Sequence, residues 1–340
     1  MPSFLVINAR ILSLRGSKEP RRGEQMQDLG IIDNGYLLVK DGLIGAIGSG
    51  EPPEDLAAPG EEIMAVDADG RVLMPAFVDC HTHACWAGSR LDEFEMGLRG
   101  ATYLQILEHG GGIMSTVRAT RETSREELAD LLCTRLGMLA AAGTGTVEVK
   151  SGYGLTTEDE VKMLRAVHDA AQGVAQSLVG TFLGAHAIDP TQEGFIDRMI
   201  EETLPAVTAE FPGITCDAYC ETGAWSVDEV TRLFERATEL GCPIRIHVDQ
   251  FNSLGMLPRA VDMGAVSADH LEASTVEDLR TLAASRTVAV LLPASGFCLD
   301  GRYADGRSLI DMGAAVAIAT NFNPGSAPSP SMAFSIALAA

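Results

Sequence analysis

The sequence predicts an α/β protein: a (β/α)8 TIM-type barrel carrying a small N-terminal β-sandwich module. Three observations lead there. From residue 72 onward, short β-rich runs alternate with amphipathic helical stretches. Eight such units can be marked out along the chain. Polar residues, histidines above all, recur just past the strands. Strands alternating with helices imply a parallel sheet, and eight units imply that it closes into a barrel.

A chain of 340 residues accommodates one large domain and a small appendage. Its apolar content of 46% and charged content of 21% are ordinary for a globular protein. The formal net charge of −22 argues against nucleic acid or an anionic membrane as partner, since both need basic surface. Seven cysteines, an odd number without a CxxC pair, fit reduced thiols in a reducing cytosol. The start Met1-Pro2-Ser3-Phe4-Leu5-Val6 lacks the basic residues and long apolar stretch of a signal peptide. No segment reaches the roughly 20 apolar residues that span a bilayer. A soluble, cytoplasmic protein is expected.

Residues 1–72 form the β module. Its alternating runs are Phe4–Leu12, Tyr36–Lys40, Ile44–Ile47 and Ile63–Val66, with Asp41-Gly42 as a hairpin signal. An antiparallel, incomplete sandwich is expected, with 15–29 as loop. Residues 73–340 form the barrel. Its strands are placed at Val72–Val78, Thr146–Lys150, Ser177–Gly184, Thr215–Tyr219, Ile244–Val248, Ala265–Ala268, Thr287–Leu292 and Ala315–Ala319. The first is read as a buried apolar run. Helices are placed at 124–142, 156–172, 193–209, 226–240, 253–263, 274–284 and 305–313. Ser124 with Glu127, Ser226 with Glu229 and Ser274 with Glu277 supply helix-start signals. The Gly-rich insertion 84–123 is read as a loop over the barrel mouth. The sequence stops in an apolar, helix-like run from Met332 to Ala340, with no terminating Gly or Pro. The expectation is therefore a truncated chain, lacking its last helix and the strands that complete the β module.

The C-terminal strand ends of such a barrel form its active face. Five of the seven histidines fall there: His81, His83, His186, His247 and His270. His109 and His168 lie in a loop and on a helix face, where a histidine is ordinarily just solvated. Alone, a His-x-His pair is two polar residues in a turn. Together with the other strand ends, it points to a shared site. In extended backbone alternate side chains share a face, so His81 and His83 point the same way. With His247 they offer three nitrogens and leave one position open, as in catalytic zinc-type sites. Such an ion brings the pKa of a bound water down towards about 7, and His270 is placed to shuttle a proton.

Further stretches carry a family likeness. They include Gly88-Ser89-Arg90, Gly111-Gly112-Ile113-Met114-Ser115-Thr116-Val117, Lys150-Ser151-Gly152-Tyr153-Gly154, Thr181 to His186, His247-Val248-Asp249-Gln250, Ala268 to Glu272 and Asn323-Pro324-Gly325. With His81-Thr82-His83, these resemble the amidohydrolase superfamily and, within it, the imidazolonepropionase family, over nearly the whole chain. The resemblance implies one divalent ion, zinc or iron, on His81, His83 and His247. It implies that Arg90 takes a substrate carboxylate, a task suited to a bidentate guanidinium. It implies that Tyr153, His186 and Gln250 line an imidazolone ring, and that Asn323, Gly325 and Ser326 contact substrate. His270 would assist attack on the ring carbonyl. The implied reaction opens 4-imidazolone-5-propanoate to N-formimidoyl-L-glutamate in histidine degradation, and a homodimer is implied as well.

Some amidohydrolases bridge two metals with a carbamylated lysine on strand four. Lys150 is on strand two, so it is read as an ion-pair partner. Asn321 stands where the family pattern has an aspartate that ligates the metal and accepts a proton. Its amide oxygen can face a cation, but it cannot act as a base. The alternatives are another cyclic-amide hydrolase or deaminase on the same scaffold, or a catalytically impaired binding homologue.

Overall fold

The structure, a computed structural model, describes residues 3–16, 18–56, 62–100, 105 and 109–340. The chain divides into two units, Met1–Ala76 and Phe77–Ala340. The first is a five-stranded sheet of β1 (Ser3–Leu12), β2 (Ile31–Lys40), β3 (Leu43–Ser49), β4 (Ile63–Asp67) and β5 (Val72–Leu73). Asp41 and Gly42 both take positive φ, 51° and 78°, and turn β2 into β3 as a tight hairpin. The expected purely antiparallel pairing is corrected: β4 and β5 both run parallel to β1. A strand that returns through a long connection is free to pair in parallel, whereas a two-residue turn is not.

The second unit opens with β6 (Phe77–Asp79) and continues through α1 (Leu91–Leu98), α2 (Ile113–Glu122), α3 (Arg125–Ala141), β7 (Thr144–Lys150), α4 (Thr157–Gly173) and β8 (Ser177–Ala185). Next comes α5, built of Phe195–Arg198, a π turn at Met199–Thr203, and Leu204–Glu210. Pro205 lacks the N–H that would continue the regular ladder, and this accounts for the π turn. Then follow β9 (Thr215–Cys220), α6 (Val227–Glu239), β10 (Ile244–Val248), α7 (Met256–Asp262), β11 (Ser267–His270), α8 (Val276–Ala283), β12 (Val288–Leu291), α9 (Pro293–Cys298), α10 (Gly306–Asp311), β13 (Ala315–Ile318) and α11 (Met332–Ala339).

Strands β6 to β13 line up in sequence order as one parallel sheet. Its edges join just past the strand ends. Asn321 N–H donates to His81 O at 3.1 Å, and His83 N–H donates to Phe322 O at 2.9 Å. Asp79 accepts from both the amide (3.1 Å) and the hydroxyl (2.6 Å) of Thr320. The cylinder is thus closed by the residues that precede and carry the first two histidines.

Helices cover the sheet as their patterns require. In α6 the buried Val230, Leu233, Phe234 and Ala237 recur at i, i+3, i+4 and i+7. Each of the larger three contributes roughly 1.5–3 kcal/mol on burial. Ser226 and Glu229 close a reciprocal capping box at its start. In α8 the cap is Thr275 with Asp278, one residue later than the sequence signal at Ser274.

Two further expectations change. The run 72–78 is not one buried strand. Val72 and Val78 are 56% and 57% exposed, and Val72-Leu73 pairs with β1. Pro75 has no N–H for a sheet ladder, so the chain leaves one sheet before entering the other. The 84–123 insertion is not all loop: it holds α1 and α2, with Gly112 at φ 80° serving as the α2 N-cap. Its residues 101–104 and 106–108 lie outside the described residues. Among the described residues, no helix is long and apolar enough to cross a membrane.

Candidate metal centre

The side chains of His81, His83 and His247 converge, with one ring nitrogen from each lying within 4.8 Å of the other two. All three are buried. Nε2 of His83 and Nε2 of His247 face each other at 3.3 Å. Two bare lone pairs at that distance repel. It is also close to the edge, about 3.4 Å, of a tetrahedron with metal–nitrogen bonds of about 2.0–2.1 Å.

What lies behind the rings settles which nitrogens face inward. His81 Nδ1 meets Asp269 Oδ2 at 2.6 Å, and His247 Nδ1 meets Asp217 Oδ1 at 3.0 Å. Each carboxylate fixes the Nδ1–H tautomer and turns Nε2 toward the centre, as the outer partners of metal-bound histidines do. Among the described residues, His81 Nε2 has no hydrogen-bond partner, nor does the buried amide oxygen Oδ1 of Asn321. Burial and the surrounding cations push the titration of His81 and His83 well down, so their rings are neutral and able to coordinate. These orphaned acceptors suit a cation. His83 differs from the other two: among the described residues its Nδ1 has no hydrogen-bond partner, so no described carboxylate sets its tautomer.

Beneath the histidines lies a buried cluster of charge. Lys150 Nζ, fully buried, pairs with Glu148 Oε1 at 2.8 Å and Asp217 Oδ2 at 2.7 Å. Arg245 pairs with Asp269 at 2.7 Å and donates to Cys80 O at 2.8 Å. Burial alone would raise Asp217, but His247, Lys150 and Arg245 hold its carboxyl well below the usual range. Lys150 is therefore an ion-pair partner. Asp217 and Arg245 went unnoticed in the sequence, although their spacing was a signal. Arg245 is two residues before His247 on the same strand, hence on the same inner face. Asp217 stands likewise two before Tyr219.

The remaining sequence candidates surround this centre. His270 ends β11 with its ring centroid 5.6 Å from that of His247 and 6.0 Å from that of His81. Its Nδ1 lies 3.2 Å from Glu272 Oε1. His186 stacks on His83 at 4.8 Å and donates from Nδ1 to Gly152 O, and burial pushes its pKa down to about 3. Tyr153 is buried, 5.2 Å from His186 ring to ring. Its loop is held by Glu160, which accepts from the amides of Gly152, Gly154 and Leu155 at 2.8–2.9 Å. Gly152, at φ 101°, has no room for a Cβ against Leu183 O, so only glycine lets this loop approach β8.

Gln250 Oε1 accepts from the Tyr219 hydroxyl at 2.9 Å. Arg90 is pinned by Glu93, which accepts from its Nε at 3.0 Å and Nη2 at 2.7 Å. Its guanidinium packs on the backbone of Gly325, where any Cβ would collide with it. Asn323 braces the strand-end loop. Its side chain serves the loop itself: Oδ1 accepts from the Gly325 and Ser326 amides, and Nδ2 donates to Asn321 O and toward Ser326 Oγ. Asn321 donates from Nδ2 toward Ser295 Oγ at 3.4 Å. Asp249, His270, Leu271 and Asn321 all hold positive φ, and this concentrates backbone strain at the strand ends.

Comparison with known proteins gives this geometry its context. Residues 95–324 match the pattern of the amidohydrolase family. The imidazolonepropionase of Symbiobacterium thermophilum is 45% identical, the match covering 99% of this chain and 80% of that protein. That of Herpetosiphon aurantiacus is 44% identical, covering 95% and 78%. Among solved structures, 5-methylcytosine deaminase from Klebsiella pneumoniae superposes with a TM-score of 0.68 at 17% identity, covering 99% of this chain and 80% of that one. Guanine deaminase from E. coli gives 0.65 at 14%, covering 100% and 77%. Those two likenesses speak for the fold alone. The chain belongs to the amidohydrolase family and, within it, to the imidazolonepropionases.

Proposed function

We propose that the chain hydrolyses 4-imidazolone-5-propanoate to N-formimidoyl-L-glutamate, a step of histidine degradation, with one zinc or iron ion at His81, His83 and His247. The observation that carries this reading is the histidine triad: two Nε2 atoms turned inward by carboxylates, in a chain 45% identical to an imidazolonepropionase. When bound, the divalent ion lowers the pKa of water and polarises the scissile carbonyl. Arg90, held by Glu93 beside Gly325, receives the propanoate. Tyr153, His186 and Gln250 border the ring, with the 323–326 loop offering the backbone of Gly325 and Ser326. His270 accepts a proton at Nε2 and returns it to the departing ring nitrogen. Asn321 would offer a bound ion a neutral oxygen where its relatives' pattern has a carboxylate, so the proton transfer would fall to His270. The reading includes a cytoplasmic homodimer.

The test compares turnover of 4-imidazolone-5-propanoate with that of the same ring lacking the propanoate arm. The larger substrate is expected to have the higher kcat/KM in the parent protein and to lose that advantage in Arg90→Ala. Equal rates on both would point to another cyclic substrate.

A further inference from the structure

We propose that Glu148, Lys150, Asp217, Arg245 and Asp269 act as one charge-balancing base under the divalent ion, with Glu148 supplying negative charge that the ligand set lacks. The inference rests on the reading that a divalent ion binds the three histidines. Those histidines are neutral and so is Asn321, so nothing in the ligand set itself offsets two positive charges. Immediately below, three carboxylates face two cations, leaving one net negative formal charge in a buried cluster.

The contacts separate Glu148 from its companions. Asp217 and Asp269 each hold a histidine Nδ1, so changing them disturbs a ligand directly. Among the described residues, the Glu148 side chain makes no hydrogen bond or ion pair to a histidine. Its Oε1 lies 2.8 Å from Lys150 Nζ and 3.4 Å from Arg245 Nη1, which links the Asp217 and Asp269 halves. Its Oε2 accepts from the Thr82 amide at 3.1 Å, the peptide between the two histidines of the pair. The cluster draws on β7, β9, β10 and β11, and Glu148 joins it to the segment that supplies the remaining ligands. Charge of this kind acts through a low-dielectric interior, where it is poorly screened.

The experiment measures Zn2+ affinity of the metal-free protein by chelator competition. Glu148→Gln is close in shape, removes the charge and loses one hydrogen bond. It is expected to weaken Zn2+ binding roughly ten- to a hundredfold, the usual scale for residues behind the ligands. Asn321→Asp restores a negative charge beside the ion but not the bond to Thr82, so E148Q should cost markedly less in an N321D background. An unchanged affinity in E148Q overturns the proposal, and so does an equal loss in both backgrounds, since the residue would then act through its bond alone. Should E148Q not fold, Glu148→Asp keeps the charge while shortening the arm. Retained Zn2+ affinity in E148D supports the proposal, and a loss of the E148Q size overturns it. A parent protein that takes up neither Zn2+ nor Fe2+, or takes the ion up equally after His247→Ala, defeats the metal reading itself and with it this inference.

Discussion

Asp217→Asn separates metal positioning from charge burial. In the parent, Asp217 Oδ1 lies 3.0 Å from His247 Nδ1 and accepts from the Ala218 amide at 2.8 Å, while Oδ2 meets Lys150 Nζ at 2.7 Å. An asparagine has one acceptor and one donor where the aspartate has two acceptors. Either Lys150 faces an NH2 group, or His247 Nδ1–H does. The first leaves a fully buried ammonium with Glu148 as its remaining partner. Breaking a buried pair from one side costs about 3–5 kcal/mol of stability. The second favours the other imidazole tautomer, whose proton occupies the Nε2 needed for the ion. Loss of an outer partner of this type weakens metal binding roughly ten- to a hundredfold, about 1.4–2.7 kcal/mol. Urea unfolding of the metal-free protein measures the first effect, and chelator competition with Zn2+ measures the second. Adding Lys150→Met to D217N removes the stranded charge. It should recover much of the stability; of the Zn2+ affinity it should recover only the share set by the net charge of the cluster, and not the share set by the His247 tautomer. A D217N protein that stays within about 1 kcal/mol of the parent in urea and within twofold in Zn2+ affinity would refute this reasoning.

Further outcomes are expected at other residues. Arg90→Ala removes a charge-assisted pair with the substrate carboxylate, about 1.5–3 kcal/mol, so KM should rise roughly ten- to a hundredfold with kcat little changed. Steady-state kinetics that show an unaltered KM would remove Arg90 from the site. Asn321→Asp adds a carboxylate and a base beside the ion, so turnover of the metal-loaded protein should increase. An unchanged or lower rate counts against the assigned role of Asn321. His270→Asn should lower kcat by roughly 10²–10⁴, the usual contribution of a positioned general base, while metal content measured by mass spectrometry stays the same. Glu221 accepts from the Thr222, Phe251 and Asn252 amides and from Asn252 Nδ2. Burial alone would raise its pKa, but those donors hold it below its ordinary 4.5. The stability it contributes is therefore complete above about pH 4.5 and lost as pH falls below that value. Tm followed against pH should show parent and Glu221→Gln converging in acid; a constant gap would exclude the linkage.

The alternation of strand and helix made the barrel legible, because each strand of a parallel sheet is a short apolar run flanked by an amphipathic helix. The histidine cluster was legible for a related reason: histidines at several strand ends of one closed cylinder converge, and three of them lie close enough together that they could hold an ion. Where structure and sequence pattern differ, a local term decides. Pro75 splits a continuous apolar run between two sheets. Gly112, read as loop, caps a helix. The charged residues under the histidines were harder to see because Arg245 and Asp217 stand inside strands otherwise read as core. Period-two spacing from His247 and Tyr219 was the available clue. That Asn323 braces its own loop follows from hydrogen bonds that spacing does not encode.

The most direct test of the central claim is a stoichiometric titration. Metal-free protein is titrated with Zn2+ while the loss of 4-imidazolone-5-propanoate absorbance is followed. The rate should rise linearly and break at one equivalent of ion per chain. Full activity before any metal is added, or a break at two equivalents, would contradict a single ion held by His81, His83 and His247.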